Sequence, residues 1–101
     1  MIEISSVIIE NKDGHYLLQF RGNDAPSHKN QWTLFGGHIE DGESNIEAAK
    51  REMLEEIGID FAIERFSFAG EAAFHDGNGN DIQAHLFRLS IRPEEKITLG
   101  E

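Results

Sequence analysis

The chain has no cysteine, two prolines, one tryptophan and one tyrosine among its 101 residues. The missing cysteines exclude disulfides, zinc–thiolate sites and thiol nucleophiles together. Basic residues are also scarce: 9 Lys+Arg stand against 19 Asp+Glu, a formal net charge of −10. Binding to duplex nucleic acid or to an anionic membrane depends on Lys and Arg, so neither partner is expected. No apolar run approaches the length of a membrane span, and Met1-Ile2-Glu3 lacks the basic start of a secretory signal. There is no internal repeat, no interdomain linker, no G-x-S-x-G nucleophile turn and no G-K-[ST] phosphate loop. What these absences leave is one acidic domain over residues 1–101, read as soluble and cytoplasmic.

Hydrophobic residues make up 39% of the chain and include seven Phe, enough for a packed core. Ile2 to Ile9 is β-branched and apolar; the turn signal Asn11-Lys12-Asp13-Gly14 and the run Tyr16 to Phe20 complete a predicted hairpin. Residues 22–30 read as a polar loop containing Pro26. Trp32 to Phe35 is a short apolar run leading into Gly36-Gly37, and both Trp32 and Phe35 are assigned to the core rather than to base stacking. Two further strands are predicted, Phe66 to Phe74 and Ile82 to Ile91, around the turn Asp76-Gly77-Asn78-Gly79-Asn80-Asp81. That turn is no EF-hand loop, because Asp81 stands where glycine is required and Phe87 where the bidentate Glu is required. The five His show no zinc-ligand spacing.

The one helix is predicted over Asn45 to Ile57. Ser44 and Glu47 form a capping box at its start, and Gly58 suits a left-handed cap at its end. Ile46, Ala49, Met53 and Ile57 recur at helical spacing as the buried stripe. Glu52, Glu55 and Glu56, at i, i+3 and i+4, share an arc of about 100° on the opposing side. The crowding is regional as well, since Gly37 to Asp60 holds eight acids and two bases. Three neighbouring carboxylates repel one another and destabilise an isolated helix. They suit a hard divalent cation that prefers oxygen ligands.

Gly37 is followed after five residues by Glu43, and after seven more by Arg51-Glu52-Met53-Leu54-Glu55-Glu56-Ile57-Gly58-Ile59. This resembles the signature of the Nudix hydrolases, G-x5-E-x7-R-E-U-x-E-E-x-G-U, with every constrained position matched and Met53 and Ile59 at the apolar U positions. The resemblance implies an α/β (α+β) fold, a mixed β-sheet sandwiched by helices. The final strand and C-terminal helix of that pattern are missing from a chain that stops at Glu101. A truncated chain of this kind would leave one sheet face bare and predispose it to homodimerise.

The resemblance further implies hydrolysis of a pyrophosphate bond in a nucleoside diphosphate derivative with Mg²⁺, or Mn²⁺ in its place. By position Glu55, Glu56 and the Gly37 carbonyl are expected as metal ligands. Glu52 is expected as a further ligand or as the base that takes a proton from water. Arg51 and Glu43 are expected to orient these carboxylates through their ion pair. Arg21 and His38 are placed near substrate, and Glu94 and Glu95 fall where many relatives supply an extra acid. The markers of ADP-ribose, dinucleoside polyphosphate, NADH and coenzyme A hydrolases are absent or partial. What remains resembles the small nucleoside triphosphate pyrophosphohydrolases, with a possibly oxidised triphosphate giving a nucleoside monophosphate and pyrophosphate. ADP-ribose or nucleotide-sugar hydrolysis, or a non-catalytic nucleotide-binding module, are the alternatives.

Overall fold

A computed structural model describes residues 1–21 and 31–98, with Arg21 described in its backbone only. The loop expected at 22–30 lies outside the described residues. Strand β1 (Ile2–Glu10) is the centre of the main sheet. Along one edge it pairs antiparallel with β2 (Tyr16–Leu17) and with β5 (Phe35–His38). Along the other it runs parallel to β7 (Asp81–Ser90), which pairs antiparallel with β6 (Phe66–His75). The sheet is therefore mixed, as expected. The predicted first hairpin is real but short: β1 and β2 share only the pairs Ile9–Leu17 and Glu10–Tyr16. After Leu18 the chain leaves the sheet, and β3 (Gln19–Arg21) pairs instead with β4 (Gln31–Thr33) as a separate ribbon.

Helix α1 spans Asn45–Ile57, the predicted limits. Its capping box is formed in both directions: the Glu47 N–H donates to Ser44 Oγ at 3.2 Å, and the Ser44 N–H to Glu47 Oε1 at 2.9 Å. Gly58 adopts φ +77° and donates its N–H to the Leu54 carbonyl, closing the last turn. Strand alternation puts Ser5, Val7 and Ile9 on one face, and α1 covers them with Ala48, Ala49, Met53 and Ile57, all buried. Ile46, expected in the stripe, is only partly buried at the margin of this core. A 3₁₀ turn (Ile63–Arg65) then leads into β6, where Phe61, Phe66, Phe87 and Phe68 meet edge to face.

Trp32 corrects its core assignment, whereas Phe35 fulfils it at 3% exposure. Trp32 is 66% exposed and, among the described residues, packs edge-on against Phe20, with ring centroids 5.2 Å apart. The cause is topological: Trp32 belongs to the detached ribbon, and Phe35 to a strand that lies under α1. Among the described residues α1 is the one α-helix, so the opposite sheet face carries no helical layer. That face, with Ile2, Ile4, Ala84 and Leu86, floors an open cavity of about 700 Å³. No described helix is long and apolar enough to cross a membrane.

Candidate active site

The site begins at a glycine pair. β5 runs beside β1 with Ser5 opposite Gly37 and Ser6 opposite Gly36. Gly36 has φ +143°, and a Cβ there would overlap the Ser5 carbonyl oxygen and lie 2.9 Å from Ser6 Cα. Only glycine lets the two backbones approach this closely. At Gly37 a Cβ would instead lie 2.5 Å from Glu52 Oε1, so the Glu52 carboxylate fills the space the missing side chain leaves.

The other acids gather around this turn unequally. The Gly36 N–H donates to Glu56 Oε1 at 3.3 Å. Glu56 is half-buried, and its pKa is pushed up to about 8, first by burial and then by the neighbouring Glu52 carboxylate. Glu52 has a side chain only 13% exposed, whereas Glu55 is 56% exposed. The three acids were expected together on the side opposing the buried stripe. The structure instead turns Glu52 and Glu56 inward to β5 and leaves Glu55 outermost.

Arg51 ties the cluster together. Its Nε donates to Glu43 Oε2 at 2.6 Å and its Nη2 to Glu43 Oε1 at 3.1 Å, a two-pronged pair. Its Nη1 donates to Glu52 Oε1 at 3.0 Å and to Glu55 Oε2 at 3.3 Å, and Nη2 also reaches the His38 carbonyl at 3.0 Å. Glu40, one of the eight acids between Gly37 and Asp60, approaches the same guanidinium at 3.3 Å. The Arg51 hydrogen bonds hold the Glu43 carboxyl below its ordinary range, and the Glu43 carboxylate in turn raises Arg51.

Among the described residues no three acidic or histidine side chains close into a ready metal cage. The guanidinium lies between Glu43, Glu52 and Glu55, doing part of the neutralising that a cation would do. The donors nevertheless fit a hard divalent ion. They are carboxylate oxygens beside a glycine turn whose missing Cβ admits Glu52, and one of them, on Glu56, is costly to ionise without a positive partner.

The remaining sequence candidates separate. The side chain of Arg21 lies outside the described residues. His38 is exposed and lines the sheet-face cavity, together with Gln19, Thr33, Gly36 and Gly37. The Thr33 hydroxyl is buried without a hydrogen-bond partner among the described residues, and Gln19 Nε2 reaches the Leu34 carbonyl at 3.3 Å. Thr33 carried no sequence signal beyond standing three residues before the glycine pair, whereas Gln19 lies seventeen residues before it. Glu94 is exposed. Glu95 is taken up structurally: Arg65 Nη1 and Nη2 each donate to it at 2.9 Å, and the Arg92 N–H donates at 2.7 Å.

A capped helix laid on a mixed sheet, with Glu52 and Glu56 turned onto the glycine pair, is in keeping with the class that the relatives identify, a pyrophosphohydrolase acting on acid anhydrides. Residues 3–101 match the NUDIX domain, and the chain belongs to that family. It is 30% identical over 101 residues to the nucleoside triphosphatase NudI of Escherichia fergusonii, covering 93% of this chain and 71% of that protein. It is 36% identical over 94 residues to a Nudix hydrolase of Listeria innocua, covering 88% of this chain and 56% of the relative. The structure superposes on the MutT protein of Methanosarcina mazei with a TM-score of 0.82 at 26% identity, covering 98% of this chain and 69% of that one.

Proposed function

We propose that the protein hydrolyses a nucleoside triphosphate at its α–β phosphate bond with Mg²⁺, Mn²⁺ substituting, to give a nucleoside monophosphate and pyrophosphate. The observation that carries this reading is the inward turn of Glu52 and Glu56 onto Gly36–Gly37, with Arg51 bonded to the acids around them. The similarity to NudI, a nucleoside triphosphatase by name, supports the triphosphate over other diphosphate derivatives. Glu52, Glu55, Glu56 and the Gly37 carbonyl would hold the ion. When bound, it polarises a phosphoryl oxygen and lowers the pKa of water.

The chain's own residues do the rest. Glu56 is fixed by the Gly36 N–H, and Glu52 by Arg51 and the glycine cradle, so both carboxylates are oriented before substrate arrives. Arg51 limits their repulsion without closing the site, because it shares its donors with Glu43. Glu52 is a further ligand or the acceptor of the water proton, and the pH–rate profile of Glu52→Gln separates these roles. The nucleoside fits the cavity on the face opposite α1, which borders the same two glycines.

The test is phosphate and pyrophosphate release from nucleoside triphosphates, ADP-ribose and nucleotide sugars with millimolar Mg²⁺, beside Glu55→Gln. The expected result is pyrophosphate from triphosphates, reduced by about 10²-fold in the variant. Turnover confined to ADP-ribose or nucleotide sugars would replace the substrate assignment. Nucleotide binding without turnover would replace the enzyme reading with a binding module.

A further inference from the structure

Among the described residues Ser5 is the one polar residue buried as a whole, at 0% exposure, on a face it shares with Val7 and Ile9. An apolar residue would fill that place at no polar cost, so a hydroxyl there needs a reason in its partner. The partner is the main-chain carbonyl of Asn45, the first residue of α1, to which Ser5 Oγ donates at 2.6 Å. Across the strand pair, Ser5 stands opposite Gly37. One residue of β1 therefore touches the helix that carries the acids and the strand that carries the glycine carbonyl. The Asn45 amide also stands beside β7, with its Nδ2 3.5 Å from His85 Nδ1, which itself lies 3.0 Å from Glu71 Oε1.

We propose that Ser5 is a positioning residue of the active site, which sets where Glu52, Glu55 and Glu56 stand relative to Gly37. The proposal rests on reading the box as the metal-handling site. The physical ground is the kind of contact α1 makes. Its main attachment, through Ala48, Ala49, Met53 and Ile57, is apolar and so lacks directional preference. Directional bonds at its two ends fix its slide and rotation. One is the Gly36 N–H to Glu56, joined in mid-helix by Arg51 Nη2 to the His38 carbonyl, and the other is Ser5 to Asn45. Glu56 and Asn45 lie eleven residues apart, about 16 Å along the axis. With the Ser5 bond gone, α1 is free to pivot about its β5-bound half, and Glu52, the acid nearest the freed end, moves most against a carbonyl that stays on β5. A shift of about 1 Å is enough to impair such a site.

The experiment compares the wild-type chain with Ser5→Ala, Ser5→Thr and Ile9→Val. Ile9→Val is a buried β1 truncation that lowers the melting temperature without touching either bond. Mn²⁺ affinity is measured without nucleotide by electron paramagnetic resonance, beside kcat, KM and melting temperature. For Ser5→Ala the Mn²⁺ dissociation constant is expected to rise, and kcat to fall, each about tenfold, with KM for the nucleotide within about twofold. Ser5→Thr, which keeps the hydroxyl, is expected to restore most of both, and Ile9→Val to change neither. Mn²⁺ affinity and kcat for Ser5→Ala within twofold of wild type would overturn the proposal. So would parallel losses in Ser5→Ala and Ile9→Val that track melting temperature alone. If Ser5→Ala does not fold, Ser5→Cys, with similar volume and a weaker donor, replaces it with the same two outcomes. A wild-type chain that binds no Mn²⁺ would overturn the box reading itself, and this proposal with it.

Discussion

Gly36 and Gly37 are neighbours with opposite sensitivities. A methyl at Gly36 meets the Ser5 carbonyl oxygen and Ser6 Cα, which are backbone atoms that cannot yield, from a φ that L residues rarely adopt. Gly36→Ala is expected to cost about 3 kcal/mol or more in chemical denaturation, through broken β1–β5 pairing. A methyl at Gly37 meets only the far end of the Glu52 side chain. Gly37→Ala is therefore expected to unfold within about 1 kcal/mol of wild type, while kcat falls at least tenfold as Glu52 is pushed out of its cradle. Glu56 supplies a pH dependence at the same scale. Its folded pKa lies above the ordinary 4.5, near 8, because burial and Glu52 disfavour the charge. The stability linked to its neutral form is thus fully present below pH 4.5 and lost as pH rises towards 8. The metal-free protein is expected to melt higher at pH 5 than at pH 8, with Glu56→Gln flattening that slope. Mg²⁺, which favours the carboxylate, is expected to recover stability at the alkaline end.

Helix α1 is the element whose integrity the site needs most, and its own sequence resists it. Glu52, Glu55 and Glu56 crowd the C-terminal half, where the helix dipole also disfavours negative charge, and the last turn carries no basic residue. The capping box at the other end offsets part of this cost. Hydrogen bonds from Ser44 hold the Glu47 carboxyl below its usual range, so Glu47 stays ionised beside the positive end of the helix. Ser44→Ala is expected to lower stability by about 1 kcal/mol in urea unfolding. The same substitution should speed hydrogen exchange in the first turn of α1, which begins at Asn45. The box, the caps and the limits of α1 were all readable from spacing. The aim of the acids was not, because a helix wheel has no knowledge of which strand will lie beside it.

Over the whole molecule a net charge of −10 acts against the compact state, and more than half of it lies between Gly37 and Asp60. Arg51 answers only part of that charge. Raising NaCl from about 0.02 to about 0.2 M is expected to raise the melting temperature of the metal-free protein by a few degrees, since screening weakens the repulsion. Millimolar Mg²⁺ at constant ionic strength is expected to add a further rise, which Glu56→Gln diminishes. A salt effect without a specific Mg²⁺ effect would count against a metal site in the box.

The sequence by itself determined the family, the three long strands β1, β6 and β7 of the main sheet, the helix and its caps, and the pairing of Arg51 with Glu43. Each of these depends on residues close in the chain or on a motif of fixed spacing, where local geometry settles the outcome. Tertiary structure alone decided that Trp32 is exposed while Phe35 is buried, since the two differ only in which sheet their strands join. It also decided that Glu95 serves Arg65 rather than the box, and that Glu52 and Glu56 turn inward while Glu55 stays out. Ser5, thirty-two residues from Gly37 and forty from Asn45, could be matched to neither by any local pattern. Its place follows from strand register and from the docking of α1 onto β1, contacts between segments far apart in sequence that form only in the assembled fold.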